Sequence, residues 1–488
     1  MLLGMAADGF PDRTLVGTLD DGLTARELRD ASRTGAALIA ASGARSVVHL
    51  AANGPAFPVA LFAAAAAGVP FVPLNYRLGT AQLRALLKHH PGAWIIADDR
   101  HAALIPPDAI RTYTPRSWCE VTSGQAGPAR EQDPVAADPA VVIYTSGTTS
   151  APKGVLLRHD NLVSYVIGSV EFGSAEQGDA ALMCVPPYHI AAVSNVLTNV
   201  YAGRRLVVLD TFSPGRWLEL VRAERITNAM VVPTMLARLM EEPDNAVPGL
   251  RTLAYGGAAM PPRVIEQALR VWPGVGFVNA YGLTETSSTV SVLGPEDHRA
   301  AAASEDPGVR ARLHSVGRPI PGVDIEIRGG DGEPLPAGVP GRVWVRGAQV
   351  SGTYAGVASE TGDGWFDTRD LGRLDRDGFL FVMGREDDTI IRGAENIAPA
   401  EIEDVLLRQP GVADAVVVGV PDEEWGQRVE AVVVPVRGAT LDSEGLRAEI
   451  RRYLRGSRTP DRIAVWDEIP RTATGKILRQ DVRAGLSR

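Results

Sequence analysis

Through the first two-thirds of the chain, short β-branched and aliphatic runs alternate with segments whose apolar positions recur at helical spacing. The pattern predicts strands at Val47–Leu50, Val69–Val72, Trp94–Ala97, Val141–Tyr144, Leu206–Leu209, Met230–Val232, Leu253–Tyr255 and Gly276–Asn279. Helices are expected between them at Thr80–His89, with Thr80 as its N-cap, at Pro214–Arg225, and at Pro261–Trp272, which opens on prolines. Such alternation predicts doubly wound parallel sheets covered by helices, with ligands held in loops beyond the carboxyl ends of the strands. Tyr144–Gly154, Tyr255–Met260 and Tyr281–Thr286 are the loops so placed.

The texture changes from Val323, where alternating strands flank the turn-rich Gly329–Gly341 and predict a β-hairpin region closing the large unit. It changes again after Gly384. A helix at Pro399–Gln409, strands at Ala413–Val420 and Val429–Val436 and a charged helix near Ser443–Leu454 describe a small α+β unit. The expected fold is therefore α/β: a large N-terminal domain, 1–386, with doubly wound sheets and a β-barrel-like subdomain, then a small α+β C-terminal domain, 387–488.

At 488 residues the chain exceeds the ~250–300 at which a single core stops growing, which agrees with two units. With 45% hydrophobic and 22% charged residues and a formal charge of −9, it offers neither a basic tract for nucleic acid nor the composition of a disordered chain. Its longest apolar run, Ala60 to Leu74, is interrupted by two prolines and falls short of the ~18 residues of a membrane span. Two cysteines, Cys119 and Cys184, make no disulfide framework, and no signal peptide opens the chain. A cytoplasmic location is the expectation. Of 49 basic residues only Lys88, Lys153 and Lys476 are lysines, so a lysine that persists is a candidate for work that needs a compact ammonium.

Tyr144-Thr-Ser-Gly-Thr-Thr-Ser-Ala-Pro-Lys153-Gly154 crowds hydroxyls, glycines and one lysine behind a strand. Thr145, Ser146, Gly147, Thr148, Thr149 and Lys153 could together wrap phosphates through backbone N–H groups, hydroxyls and one cation, although a loose cluster of this composition is more often a solvated turn. The spacing is not that of a Walker A loop.

In this ordered form the segment resembles the phosphate loop of the adenylate-forming superfamily, which contains acyl- and aryl-CoA synthetases, luciferases and nonribosomal adenylation domains. Further motifs of that family stand in its order: Pro187-Tyr188-His189, Tyr255-Gly256-Gly257-Ala258, Tyr281-Gly282-Leu283-Thr284-Glu285-Thr286, Trp365 through Asp370-Leu371, Gly384-Arg385-Glu386-Asp387-Asp388, Gly393-Ala394-Glu395-Asn396 and Thr474-Gly475-Lys476. The resemblance spans nearly the whole chain and is greatest to acyl-CoA synthetases.

It implies ATP, Mg²⁺ and CoA as cofactors and co-substrates. Lys476 is expected to bridge carboxylate and α-phosphate while acid attacks phosphorus, where cations must offset the gathering negative charge. Glu285 is the expected Mg²⁺ ligand and Thr284 a phosphate contact. Tyr281 offers an aromatic face to adenine, with Gly256, Gly257 and Ala258 along its amino edge and Asn279 and Gly282 beside it. Asp370 is expected to accept the ribose hydroxyls and Arg385 to contact ribose or phosphate, unless the two form only a structural ion pair. His189 is expected between the nucleotide and acyl pockets, with a direct chemical role or a merely positional one.

By family position Ile190, Val193, Met230, Met235 and Ser287 line the acyl site. The surrounding segments supply no Arg or Lys for a second carboxylate and no Asp for an amino group, which favours a hydrophobic monocarboxylic acid. The resemblance further implies a small domain that swings about Asp387, bringing Gly393 and Ala394 to line the thiol passage. Ser150, Ala151, Arg369 and Ala394 depart from the commonest family residues. Ala394 narrows the passage by a methyl, so an acyl-AMP ligase loading an acyl carrier protein stands as the alternative. A nucleotide binder without catalysis is a second rival, opposed by the joint presence of Lys476, Glu285 and Asp370.

Overall fold

The computed structural model describes residues 1–123, 139–145, 153–355, 363–392, 395–454, 456–472 and 475–486. The β-branched run Val47–Leu50 sits inside a six-stranded sheet ordered Arg111–Tyr113, Trp94–Ala97, Val47–Leu50, Phe71–Pro73, Val141–Thr145, Lys153–Leu157. All neighbours are parallel except the last pair. A nine-stranded sheet runs Arg318–Pro319, Ser288–Leu293, Gly276–Leu283, Thr252–Gly256, Asn228–Val231, Ala180–Met183, Arg205–Val208, Thr14–Gly17, Gly22–Thr24. Its middle strands are parallel and its edges antiparallel, so the doubly wound expectation holds.

The two sheets share one apolar core. Phe71 and Trp94 of the first sheet, Phe57 and Trp118 on the helices Ala56–Ala67 and Pro115–Thr122, and Met183, Val185 and Leu206 at the second sheet belong to this one core, together with the helix Ile190–Ala202. The Ala56–Ala67 helix is buried on nearly every side and carries no polar face, whereas Ile190–Ala202 is buried except along Ala191, Asn195 and Thr198. Each fully buried Phe or Leu contributes roughly 1.5–3 kcal/mol, so this central layer outweighs any surface ion pair in fixing the sheets. Trp217, Tyr255, Trp272 and Phe277 form a second core on the other face of the large sheet.

After Val323 the chain forms an antiparallel four-stranded sheet, Val323–Arg328, Gly341–Gly347, Phe366–Leu374 and Leu380–Arg385, packed on Val290. The strands Val412–Asp422, Gly426–Pro435 and Arg462–Val465, with helices Pro399–Leu407, Ser443–Tyr453 and Arg479–Leu486, make the small α+β unit. Several boundaries shift by a residue or two from their expected places, among them an N-cap. The Thr80–Leu87 helix is capped at Gly79, whose N–H donates to Gln82 Oε1 at 3.2 Å, and Thr80 is already inside the helix.

Candidate active site

The strand Gly276–Leu283 turns back into Ser288–Leu293 through a short 3₁₀ turn, Thr284–Thr286. The apposition is so close that a Cβ on Gly282 would lie 1.8 Å from the Ser288 carbonyl oxygen, which only glycine tolerates. Ser287 takes φ +57° to complete the turn, while Thr286 Oγ1 accepts the Leu283 N–H at 3.0 Å and donates to the Ser288 carbonyl at 2.7 Å. The result is a rigid platform for Glu285. Its carboxylate is 9% exposed and accepts the Tyr354 phenol at 2.7 Å.

Tyr354 arrives because the backbone of 353–355 pairs with the strand Lys153–Leu157, Leu156 donating to the Thr353 carbonyl at 2.9 Å. Lys153 lies 5.7 Å from the centre of the Tyr354 ring. Thus the lysine of the phosphate loop and the expected metal carboxylate are joined through one tyrosine, for which the sequence carried no recognised motif. Thr145 closes the loop's base, its hydroxyl 3.4 Å from the Lys153 carbonyl. Ser146, Gly147, Thr148 and Thr149 lie outside the described residues.

Asp370 stands opposite Arg385 in the register of the four-stranded sheet. Its N–H bonds Thr368 Oγ1 at 3.1 Å, and its Oδ2 accepts the Tyr281 phenol at 2.5 Å. Arg385 Nε is 3.5 Å from Oδ1, and among the described residues that buried nitrogen has no hydrogen-bond partner. Burial raises the Asp370 pKa, while the Tyr281 hydrogen bond and the Arg385 charge draw it back down. One carboxylate oxygen is therefore engaged, and the other, beside an orphaned guanidinium nitrogen, is available to hydroxyl donors. That donor set fits a ribose. Tyr281 is half-buried, its phenol held in place and raised well above the ordinary pKa by burial and by Asp370.

Lys476 reaches this group from the small unit. Its turn closes by the Thr472 N–H to the Lys476 carbonyl at 2.8 Å and is tied down by Arg471, which bonds the Gly475 carbonyl at 2.6 Å and Asp414 at 2.7 Å. Gly475, at φ +80°, lies against Thr234 and Val232 of the large unit. Lys476 is half-buried. Burial first and Arg385 second lower its pKa, while Asp388, Asp370 and Glu285 act to raise it. The structure thus brings together Lys476, Glu285, Asp370, Arg385 and Tyr281 from opposite ends of the sequence.

Gly256 packs edge to edge with the neighbouring strand, where a Cβ would be 2.3 Å from the Ala280 carbonyl oxygen, and Gly257 at φ +82° turns the chain outward before Ala258. Asn279 is buried with its amide donating to the Ser315 carbonyl at 3.0 Å, a structural bond that leaves its other edge. Thr284 is half-buried at the start of the turn. His189 caps the Ile190–Ala202 helix, half-buried, and burial with the nearby Arg77 charge holds it neutral at about pKa 4.

The expected acyl residues are not all gathered. Ile190, Met230 and Met235 lie near the helix start and the Asn228–Val231 strand, Met235 packing on Cys184 at 4.0 Å between sulfurs. Val193 is fully buried in the core on the helix face opposite Asn195, and Ser287 is fully buried with its hydroxyl on the Gln349 carbonyl at 2.8 Å. Ser288 and Thr289, next along, are half-exposed. Gly393 and Ala394 lie outside the described residues. A surface cleft of ≈ 760 Å³ lined by Thr227, Arg251 and Trp272 is at the opposite ends of the same strands and contains none of these groups.

Family models for an AMP-binding enzyme match residues 4–355 and for an AMP-binding enzyme C-terminal domain residues 401–476. A feruloyl-CoA synthase of Amycolatopsis is 34% identical, covering 90% of this chain and 88% of that protein. An indoleacetate–CoA ligase of Aromatoleum aromaticum is 34% identical over 99% and 96%. The structure of o-succinylbenzoate CoA synthetase of Bacillus subtilis with its acyl-adenylate superposes with a TM-score of 0.84, at 29% identity over 99% of this chain and 97% of that one. The chain belongs to the AMP-binding, adenylate-forming enzymes. Within them it is an AMP-forming acid–CoA ligase, and its substrates by that membership are a carboxylic acid, ATP and CoA.

Proposed function

We propose that this ligase activates a monocarboxylic acid with a largely apolar body, first as acyl-AMP and then as the CoA thioester, and that it works in the cytoplasm. What carries the reading is the placement of Lys476 from the small unit within the charge field of Asp370, Arg385 and Glu285. Asp370 and Arg385 would hold the ribose, Tyr281 the adenine face, and Lys153 with Thr145 the phosphates. The carboxylate of the acid and the α-phosphate repel as they approach, and the Lys476 ammonium lowers that barrier by lying between them. Mg²⁺, when bound, would offset charge on the phosphate oxygens. Glu285, buried on its rigid turn, would be the protein carboxylate that holds it. His189, neutral at working pH, separates the nucleotide from the acyl group.

For the second step, the boundary at 386/387 and a hinge at Asp387 are supported by two anchors. Glu386 is held by Arg342 of the large unit at 2.6 Å, and Asp388 by Arg479 of the small unit at 3.3 Å. Asp387 alone stands between them. Turning there would withdraw Lys476 and bring Gly393 and Ala394 to the acyl-adenylate as the thiol passage. Trp425, 46% exposed beneath the Arg392 guanidinium at 5.8 Å, offers a free base a stacking face beside a cation, which favours CoA over a carrier protein.

The test is Lys476→Ala. It should lose acid-dependent pyrophosphate release by at least about 10²-fold while still making thioester from supplied acyl-AMP and CoA. Unimpaired pyrophosphate release would remove the assigned role, and acyl transfer only to a carrier protein would remove CoA.

A further inference from the structure

The Ile190–Ala202 helix is buried along most of its length, yet Ala191, Asn195 and Thr198 are half-exposed. Their spacing places them on one face. Ser194, at the edge of that face, has its hydroxyl 3.2 Å from the hydroxyl of Ser288, so the face is turned toward the strand that follows Glu285. This open face lies beside Ser288, three residues along the chain from Glu285, and on the acid-activating reading above it would form a wall of the acyl site.

The amide on that wall is oriented by a chain of donors. Arginine can only donate. Arg204 Nη1 donates to Asn199 Oδ1 at 2.8 Å, which turns Asn199 Nδ2 toward Asn195. There it donates to the Asn195 backbone carbonyl at 2.7 Å and to Asn195 Oδ1 at 2.8 Å. The acceptor edge of Asn195 is thereby engaged, and its Nδ2, with two hydrogens, has no partner among the described residues. A hydrophobic wall of this kind would be served by Leu. Instead a donor is fixed in orientation by a guanidinium two side chains behind it, which also strengthens the donor by polarising the chain.

We infer that the acid activated here carries an uncharged acceptor oxygen on its body, as a hydroxyl, ether or carbonyl, and that Asn195 Nδ2 donates to it. The inference rests on the acid-activating reading above and refines its substrate class. A second carboxylate does not fit, since the wall presents one amide and no cation of its own.

The experiment pairs acids that differ only by that oxygen, for example aryl and alkyl acids with and without a distal hydroxyl or methoxy group, read by pyrophosphate release. Wild type should favour the oxygenated member of at least one pair by at least about tenfold in kcat/KM. Asn195→Leu should erase or reverse that preference, and the isosteric Asn195→Asp, which replaces the donor by an acceptor, should depress the oxygenated acid selectively. Asn195→Asp keeps the test open if the leucine variant folds poorly. Release from many acids without discrimination, or a preference that survives both substitutions, overturns this inference alone. No release from any acid overturns it together with the reading beneath it.

Discussion

On the proposed reading a single amino group, that of Lys476, carries the chemistry, and its surroundings dictate how it should respond to pH. Burial and Arg385 hold the Lys476 pKa below its ordinary 10.5. Only the ammonium form can offset the charge of carboxylate and phosphate, so activity is present below the folded pKa and lost as pH rises through it. In kcat/KM for ATP, which reports the free enzyme, the alkaline limb should therefore have its midpoint below 10.5. Lys476→Arg keeps its charge past pH 12 and should lose that limb whatever its rate. A limb at or above 10.5 in wild type, or the same limb in the arginine variant, contradicts the assignment. His189, neutral at about pKa 4, adds no limb near 6.5. The lysine was legible in the sequence, since few lysines remain and this one follows Thr474-Gly475. Tyr354 was not, because it is joined to Glu285 and Lys153 only when a loop two hundred residues downstream pairs with the strand Lys153–Leu157.

Within elements, the strand Phe366–Leu374 shows why one departure from the family pattern matters. Arg369 adopts φ +59°, a left-handed conformation that turns the exposed Arg369 out and Asp370 in toward Tyr281. Its N–H bonds Asp367 Oδ1 at 2.9 Å, which steadies the kink. A non-glycine residue there costs roughly 1–2 kcal/mol, of which glycine's greater freedom when unfolded takes back about 0.5–1. Arg369→Gly should therefore raise stability by up to about 1 kcal/mol, seen as a higher urea midpoint at unchanged slope, with adenylation retained. A lower midpoint would mean that the guanidinium makes contacts worth more than the strain. The same view of elements explains what the residue pattern could not give. Strands such as Trp94–Ala97 were legible as short apolar runs between turns, whereas the helix Ile190–Ala202, which buries Ser194 and Asn199 with its apolar residues, has too narrow an open face to stand out as amphipathic. Val193 entered the acyl reading by family position, and the structure buries it fully in the core.

At the scale of the whole molecule, the two half-reactions proposed above make incompatible demands on one opening, which the proposed hinge at Asp387 would resolve in time. With Gly475 against Thr234, the site is closed by the small unit and holds the adenylating arrangement. On that proposal thiol entry requires that contact to break, and the Arg342–Glu386 and Arg479–Asp388 pairs would confine the turning to the backbone of Asp387. Both pairs are only partly buried, so each contributes little to stability and little resists a swing between them. Proline at 387 fixes φ near the value a 3₁₀ turn already uses, and thus restrains the hinge in its present setting. Asp387→Pro should slow thioester formation from acyl-AMP and CoA by about tenfold or more while pyrophosphate release falls far less. Single-turnover measurement of each half-reaction separates the two. Equal loss in both would place the pivot elsewhere along 385–389, and undiminished thioester formation would show that the small unit need not turn at all.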